Sequence, residues 1–258
     1  GSLTMTKIIL CGCNGKMGKV ITLAAANTDD IEIVGGIDLN TEAGAGYPVF
    51  ASPTEVTPEV LARTDVIIDF SNPSAFAGLI EFAVKAAKPA VFATTGLNEA
   101  QLTLLHHAAD KIPVFFAANM SLGVSLISEL AQKAAKVLGD DFDIEIVEMH
   151  HNQKVDAPSG TALMLADSIK EALGEDMHYE YDRHAKREKR GKNEIGIHSV
   201  RGGTITGEHE IIFAGHDEII KISHSARSKE LFATGAINAA RFLCGKPAGL
   251  YGMKELIG

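Results

Sequence analysis

Two rhythms of apolar and polar residues divide this chain. As far as residue 121, short apolar runs alternate with stretches of helical period. Thr6–Cys11 (TKIILC), Ile31–Ile37, Asp65–Phe70 (DVIIDF), Ala90–Ala93 and Pro113–Ala117 are near-continuous apolar runs, as strands buried on both faces require. Between them, Lys19–Ala26, Pro73–Ala87 and Leu97–Ala109 repeat apolar residues at helical spacing. This alternation predicts a parallel sheet with helices on both faces. Val124–Val137 is a further helix, and beyond it the rhythm changes. Asp143–Met149 (DIEIVEM) alternates acidic and apolar residues at period two, as a half-buried strand does, and Ala162–Leu173 is helical. Glu194–Arg201, Glu208–Gly215 and Glu218–Ser225 read as strands joined by glycine-containing turns, which implies a mixed or antiparallel sheet. Between the two groups, Glu175–Asn193 is strongly charged and reads as an exposed excursion with a solvated surface. Ser228–Leu243 is a helix expected to return to the first domain.

The first strand and the first helix enclose Gly12-Cys13-Asn14-Gly15-Lys16-Met17-Gly18. Strand, glycine-rich turn and helix, in that order, mark a dinucleotide-binding βαβ unit, in which glycines let the backbone approach a pyrophosphate held at the helix N-terminus. The spacing is G-x-x-G-x-x-G rather than G-x-G-x-x-G. The context supplies what the spacing lacks: the strand Ile31–Ile37 runs into Asp38, whose carboxylate falls about 20 residues beyond the last glycine, where it can accept from ribose hydroxyls. A P-loop is excluded twice. Five residues rather than four separate Gly12 from Gly18, and Val20 stands where a Ser or Thr must hold magnesium. Asp38 favours NADH over NADPH, since a carboxylate repels a 2′-phosphate, while Lys16 leaves NADPH open. The expected fold class is thus α/β: a Rossmann-type parallel-sheet domain for the dinucleotide, residues 1–121 and 231–258, plus a smaller α+β domain with a mixed sheet for the substrate, residues 122–230.

The densest chemistry lies between the strand Asp143–Met149 and the helix that follows: His150-His151-Asn152-Gln153-Lys154-Val155-Asp156-Ala157-Pro158-Ser159-Gly160-Thr161. His150 can exchange a proton near neutral pH. Lys154 adds a point charge. Ser159, Gly160 and Thr161 offer hydroxyls and backbone N–H groups where the helix starts, a ready anion site. A small anionic substrate that is protonated during reaction fits this set. A metal site is rejected here, because adjacent strand residues such as His150 and His151 point to opposite faces and no neighbouring ligands complete a shell.

Composition narrows the picture further. The 258 residues suffice for one large or two modest domains, and no apolar run is long enough to span a bilayer. A formal net charge of −9 argues against nucleic acid as a partner. Cys11, Cys13 and Cys244 form no disulfide or zinc framework; Cys11 reads as a buried strand residue and Cys13 as a candidate oxidisable thiol in the turn. The residues ahead of Met5, Gly1–Thr4, read as a preparative remnant rather than a signal peptide, so a cytoplasmic location is expected. The remaining histidines, at 106, 107, 178, 184, 198, 209, 216 and 224, show no ligand spacing and read as surface or structural groups.

Taken together, these motifs resemble the dihydrodipicolinate (4-hydroxy-tetrahydrodipicolinate) reductase family over nearly the whole chain. The segment H-H-N-Q-K-V-D-A-P-S-G-T-A at 150–162 carries the likeness most specifically. It is supported by G-C-N-G-K-M-G at 12–18, D-F-S-N-P at 69–73, T-T-G at 94–96 and N-M-S-L-G-V at 119–124, and also by R-G-G at 201–203, G-E-H at 207–209 and G-L-Y-G-M at 249–253. Ala118 and Met120 depart from the commoner family form, which bears on the shape of the nicotinamide pocket. The resemblance implies an oxidoreductase of the diaminopimelate route to lysine that reduces 4-hydroxy-tetrahydrodipicolinate, a cyclic imine dicarboxylate, to tetrahydrodipicolinate with NADH or NADPH. It also implies a homotetramer built through the sheet of the substrate domain; and because the cofactor and substrate motifs lie on different domains, a hinge closure is expected. Carried over residue by residue, it makes His150 and Lys154 the catalytic pair, with His151, Ser159, Gly160 and Thr161 on the substrate. Gly12, Gly15, Lys16, Met17 and Asp38 would meet the adenosine and pyrophosphate end of the cofactor. Phe70, Thr94, Gly96, Ala118, Asn119 and Met120 would surround its nicotinamide. Two alternatives stand beside this reading: another two-domain Rossmann oxidoreductase, and a dinucleotide-binding redox sensor without catalysis. An acylating semialdehyde dehydrogenase would need a catalytic Cys in its substrate domain, and Cys244 in the terminal helix is a poor candidate.

Overall fold

The computed structural model describes residues 4–42 and 46–258; of the segment ahead of Met5, only Thr4 is among them. In chain order, the first elements are β1 (Thr6–Cys11), α1 (Lys16–Ala26), β2 (Ile31–Ile37), β3 (Val49–Phe50), α2 (Pro58–Arg63) and β4 (Val66–Asp69). Next come α3 (Phe76–Ala86), β5 (Ala90–Phe92), α4 (Glu99–Ala109), β6 (Pro113–Phe116) and α5 (Leu122–Leu138). Then follow β7 (Asp143–His150), α6 (Gly160–Leu173), β8 (His178–Glu180), β9 (Glu194–Arg201), β10 (Gly207–Ala214) and β11 (Ile219–Ala226). The chain closes with α7 (Glu230–Leu243), β12 (Gly249–Tyr251) and α8 (Met253–Ile257). Two compact units result, one of residues 1–122 with 229–258 and one of residues 123–228. Among the described residues, no helix is long and apolar enough to cross a membrane.

In the first unit seven strands lie in the order β12-β6-β5-β4-β1-β2-β3, every pair parallel. The apolar runs are continuous because both faces are buried. Ile8 and Leu10 join one core with Ile21 of α1 and Ala233, Ala236 and Ala240 of α7. Ile9 and Cys11 join the opposite core with Phe76, Leu79 and Ala83 of α3 and Leu105 of α4. Each fully buried large aliphatic side chain contributes about 1.5–3 kcal/mol. Strand order reverses between β1 and β4, and a crevice opens at such a switch point beyond the carboxyl ends of the strands.

In the second unit the order is β11-β10-β7-β9-β8, with β10 antiparallel to both its neighbours and β7, β9 and β8 parallel. Helices α5 and α6 supply Ile127, Ala131, Leu165 and Ile169 to a core with Ile144, Ile146, Ile195, Ile211 and Phe213. The charged stretch 175–193 is not wholly the exposed excursion its composition suggests. His178–Glu180 pairs with β9 as an edge strand, and Glu180 is buried. Arg190 donates to the carbonyls of Ile144 and Glu194, stitching the stretch to the sheet. Charge count cannot reveal such a role, because the partners are backbone groups, one of them 46 residues away. Likewise β3, α2, β12 and α8 carry too few residues to register as periodic runs.

Candidate active site

At the switch point β1 runs into Gly12, which takes a φ of 81° and donates its N–H to Ile37 O at 2.8 Å. A Cβ there would lie 2.9 Å from the backbone N of Ser71. At Gly18 it would lie 2.1 Å from Gly12 O and 2.6 Å from the Cys13 carbonyl, so strand and helix approach too closely for any side chain. Gly15 is the N-cap of α1 and supplies no side-chain cap, so the helix start presents backbone N–H groups suited to an anion. Lys16 follows as the first helical residue, exposed. Asp38 follows β2, and its two oxygens accept from Asn14 N at 3.0 Å and Asn40 N at 2.9 Å. Each oxygen keeps a second lone pair. A cavity of about 620 Å³ lies here, lined among others by Gly12, Gly15, Asp38, Ser52, Phe70 and Ser71.

Beside it the last residue of β4, Asp69, is fully buried and organises two loops. It accepts from Ser71 N at 2.8 Å, Ser71 Oγ at 2.5 Å and Thr94 Oγ1 at 3.0 Å. Burial raises its carboxyl pKa, and these hydrogen bonds offset part of the rise. A second cavity, of about 300 Å³, is lined by Met17, Phe70, Ala93, Ala118, Asn119, Met120, Lys229 and Phe232. Helix α7 contributes Phe232 to it and packs closely on Met120 at Gly235, where a Cβ would lie 1.6 Å from Met120 O. Thus Gly12, Gly15, Met17, Asp38, Phe70, Ala118, Asn119 and Met120 line one cavity or the other, whereas Lys16, Thr94 and Gly96 line neither. Cys13 is 1% exposed and burial pushes its thiol up, which sets aside an oxidisable role.

In the second unit, period two places Ile144, Ile146, Glu148 and His150 on one face of β7, and Glu148 is fully buried. Its oxygens receive both terminal nitrogens of Arg201, each at 2.9 Å, the Nδ1 side of His150 at 2.5 Å and Ser159 N at 3.2 Å. Burial alone would raise this carboxyl, but hydrogen bonds from Arg201, His150 and Ser199 outweigh it and hold the group at about 2. His209 of β10 is also buried. Its Nε2 lies 2.7 Å from Ser159 Oγ, and its ring meets that of His150 edge-on with centroids 5.2 Å apart. Burial, reinforced by the nearby His150, lowers His209 to about 4, so its ring is neutral at pH 7.

Ser159 Oγ also accepts from Ala162 N at 3.1 Å and caps α6. Both its N–H and its hydroxyl are therefore committed within the protein, against the expectation that its N–H is open to a ligand. Gly160 is exposed at the start of α6 and Thr161 half-buried beside it. His151 Nδ1 accepts from Gln153 N at 3.2 Å. Lys154 Nζ donates to both oxygens of Asp156 at 2.9 and 3.0 Å, and Arg201 donates to the Asp156 carbonyl at 2.7 Å. The Ala157–Pro158 peptide is cis.

Sequence reasoning passed over Glu148, Asp156, Arg201 and His209 here, and Asp69, Lys229 and Phe232 in the first unit. For Glu148 a signal was available: a carboxylate on the buried register of a half-buried strand needs partners. Arg201 and His209 fall in the R-G-G and G-E-H motifs, which flag them through the family resemblance alone, since their placement follows from the strand pairings His150↔Arg201 and Glu148↔His209. Among the described residues, one further group has metal-ligand spacing: His178, Glu180 and Glu194, with ligand atoms within 4.8 Å of one another. Its two carboxylates are already neutralised by Lys186 and Arg183.

A parallel sheet with a glycine cradle at its switch point, joined to a unit that carries a histidine–lysine loop, defines a two-domain NAD(P)H-dependent oxidoreductase of Rossmann type. The family models for the N-terminus and the C-terminus of dihydrodipicolinate reductase match residues 6–120 and 123–257. The chain belongs to the dihydrodipicolinate reductase family. It is 51% identical over 253 residues to the 4-hydroxy-tetrahydrodipicolinate reductase of Caldanaerobacter subterraneus subsp. tengcongensis, with 98% of each chain covered. To that of Clostridium tetani it is 47% identical over 249 residues, with 96% of each covered. Among solved structures, the dipicolinate-bound dihydrodipicolinate reductase from Paenisporosarcina sp. TG-14 superposes with a TM-score of 0.82 at 27% identity, covering 98% of this chain and 99% of that one.

Proposed function

We propose that this protein reduces 4-hydroxy-tetrahydrodipicolinate to tetrahydrodipicolinate in the diaminopimelate route to lysine, with the first unit holding NAD(P)H and the second the substrate. One observation carries the assignment of roles: a single short loop presents His150, the Lys154 ammonium and the N-terminus of the fourteen-residue helix α6. A dicarboxylate that gains a proton in the reaction needs those three things.

The cavity beyond β1, β2 and β4 suits a dinucleotide. Gly12, Gly15 and the start of α1 would hold the pyrophosphate, and Asp38 the adenosine ribose through its unused lone pairs. Phe70, Ala118, Asn119 and Met120 would form the nicotinamide side, with Thr94 and Gly96 shaping it from behind. Bound NAD(P)H supplies the hydride. Loss of the 4-hydroxyl as water leaves a conjugated imine; as that ring takes up the hydride, negative charge grows toward its nitrogen, and a proton donor from the His150–Lys154 loop neutralises it. General acids contribute about 10²–10⁴-fold, equivalent to roughly 3–5 kcal/mol of barrier. Gly160, Thr161, His151 and Lys154 bind the carboxylates by preorganised hydrogen bonds and charge, while Ser159 supports them as the helix cap. On the family resemblance we infer a cytoplasmic enzyme that assembles through the sheet of the second unit as a homotetramer.

The test is oxidation of NADH or NADPH in the presence of freshly generated substrate; absence of oxidation with either cofactor removes the reading. NADH is the proposed preferred cofactor, on the strength of Asp38. Asp38→Ala is expected to weaken NADH more than NADPH in a fluorescence titration, and the reverse ranking overturns that preference.

A further inference from the structure

We infer that Glu148 and Arg201 form a buried strut that positions both chemical groups of the loop, and that it fixes Nε2 of His150 as the nitrogen that exchanges the proton. This inference rests on the function proposed above and goes beyond it, by saying which atom works and what holds it.

Glu148 lies at the base of the site and is fully buried. Its carboxylate is unprotonated at neutral pH and can only accept, so the 2.5 Å contact requires His150 to donate through Nδ1. That leaves Nε2 as the ring nitrogen available to a substrate, a tautomer set by the hydrogen bond on the opposite nitrogen. Gly207 keeps this edge accessible: its Cβ would stand 3.2 Å from Nε2.

Arg201 serves the other group. The same guanidinium binds Glu148 through both terminal nitrogens, and one of them also reaches the Asp156 carbonyl at 2.7 Å. The Asp156 side chain in turn grips Lys154 Nζ through both oxygens. His150 and Lys154, four residues apart on a loop, are thereby referenced to one planar cation. Lysine cannot replace that fork, because its point charge has no fixed bidentate geometry. Around His150 stand Glu148 on its own strand, Arg201 on β9 and His209 on β10, with Asp156 and Lys154 linked to them through Arg201. Of these, Glu148 and Asp156 are anionic; Glu148 accepts from the ring and the His209 ring meets it edge-on.

Glu148→Gln and Arg201→Lys test the strut, with folding checked by circular dichroism and by NADH binding at the first unit. Glu148→Gln is expected to lower kcat about 10- to 100-fold with a smaller change in KM. Arg201→Lys should lower kcat as well, since a point charge cannot hold both groups in place. Folded Glu148→Gln protein with kcat within twofold of the parent overturns the inference, while wild-type turnover leaves the function itself standing. A measurement on the unaltered protein guards against misfolded variants. With ¹⁵N-labelled histidine, the neutral ring of His150, assigned by its loss in His150→Gln, should carry its proton on Nδ1. A proton on Nε2 overturns the inference directly.

Discussion

His209 and Glu148 face each other across one sheet, yet each resists a proton for an opposite physical reason. Burial disfavours the charged form of His209, whose ordinary value of 6.5 falls to about 4 on folding. Between those values the unfolded chain binds the additional proton, so stability falls as pH drops through this window, by up to about 3 kcal/mol. Glu148 goes from 4.5 to about 2 because Arg201 and His150 hold its anion. Its contribution is present above pH 4.5 and is lost as pH falls toward 2. Urea midpoints measured across pH should therefore decline in two stages. His209→Gln should flatten the stage between pH 6.5 and 4.5 while keeping the lower one; an unchanged slope in that variant refutes the assignment. Lys154→Ala removes a charged hydrogen-bond donor worth about 1.5–3 kcal/mol, so kcat/KM should drop about 10- to 100-fold. NADH affinity should stay within about twofold, as the residue lies in the second unit. A large loss of NADH binding would count against that separation of roles.

At the level of elements, the β1–turn–α1 unit depends on two glycines for different reasons. Gly18 has no room: its Cβ would strike backbone atoms of Gly12 and Cys13, which cannot yield as a flexible side-chain end can. Gly18→Ala is expected to destabilise the protein by about 3 kcal/mol and to abolish NADH binding. Gly15 has a φ of −77° and a nearest Cβ neighbour at 3.4 Å, so Gly15→Ala should fold normally. The new methyl would nonetheless stand at the helix start and weaken the dinucleotide alone. Thermal melts and NADH titrations on the two variants check this; equal melting temperatures would mean that the turn is looser than the contacts imply. In the second unit the comparable dependence is on register. A one-residue slip of β7 would turn Glu148 and His150 to the other face, and with them the hydrogen bonds to Ser159 and Arg201.

For the whole molecule, the sequence enters the second unit after Leu122 and returns at Lys229, so each unit owns a complete core. The division of labour is testable by hydrogen exchange. NADH should protect amides at 12–18, 70–72 and 118–121, and the proposed substrate those at 150–161 and 201–203. Protection of 150–161 by NADH, with none at 12–18, would reverse the roles given to the units.

The order of the longer strands and helices, the glycine turn and the His150–Thr161 loop were readable directly, because periodicity and spacing are local properties that side-chain burial and backbone sterics impose on neighbouring residues. Helix starts were displaced by a few residues, as at Lys16 and Glu99, since caps such as Asn98 are set by hydrogen bonds rather than by apolar period. Arg201 beneath His150, His209 against Ser159 and Phe232 beside Met17 join residues more than forty positions apart. Strand pairing and helix docking choose such partners, and their free energy resides in contacts that no local pattern encodes. By itself the sequence determined which groups are available for chemistry; only the tertiary structure decided which of them are held, by what, and on which atom.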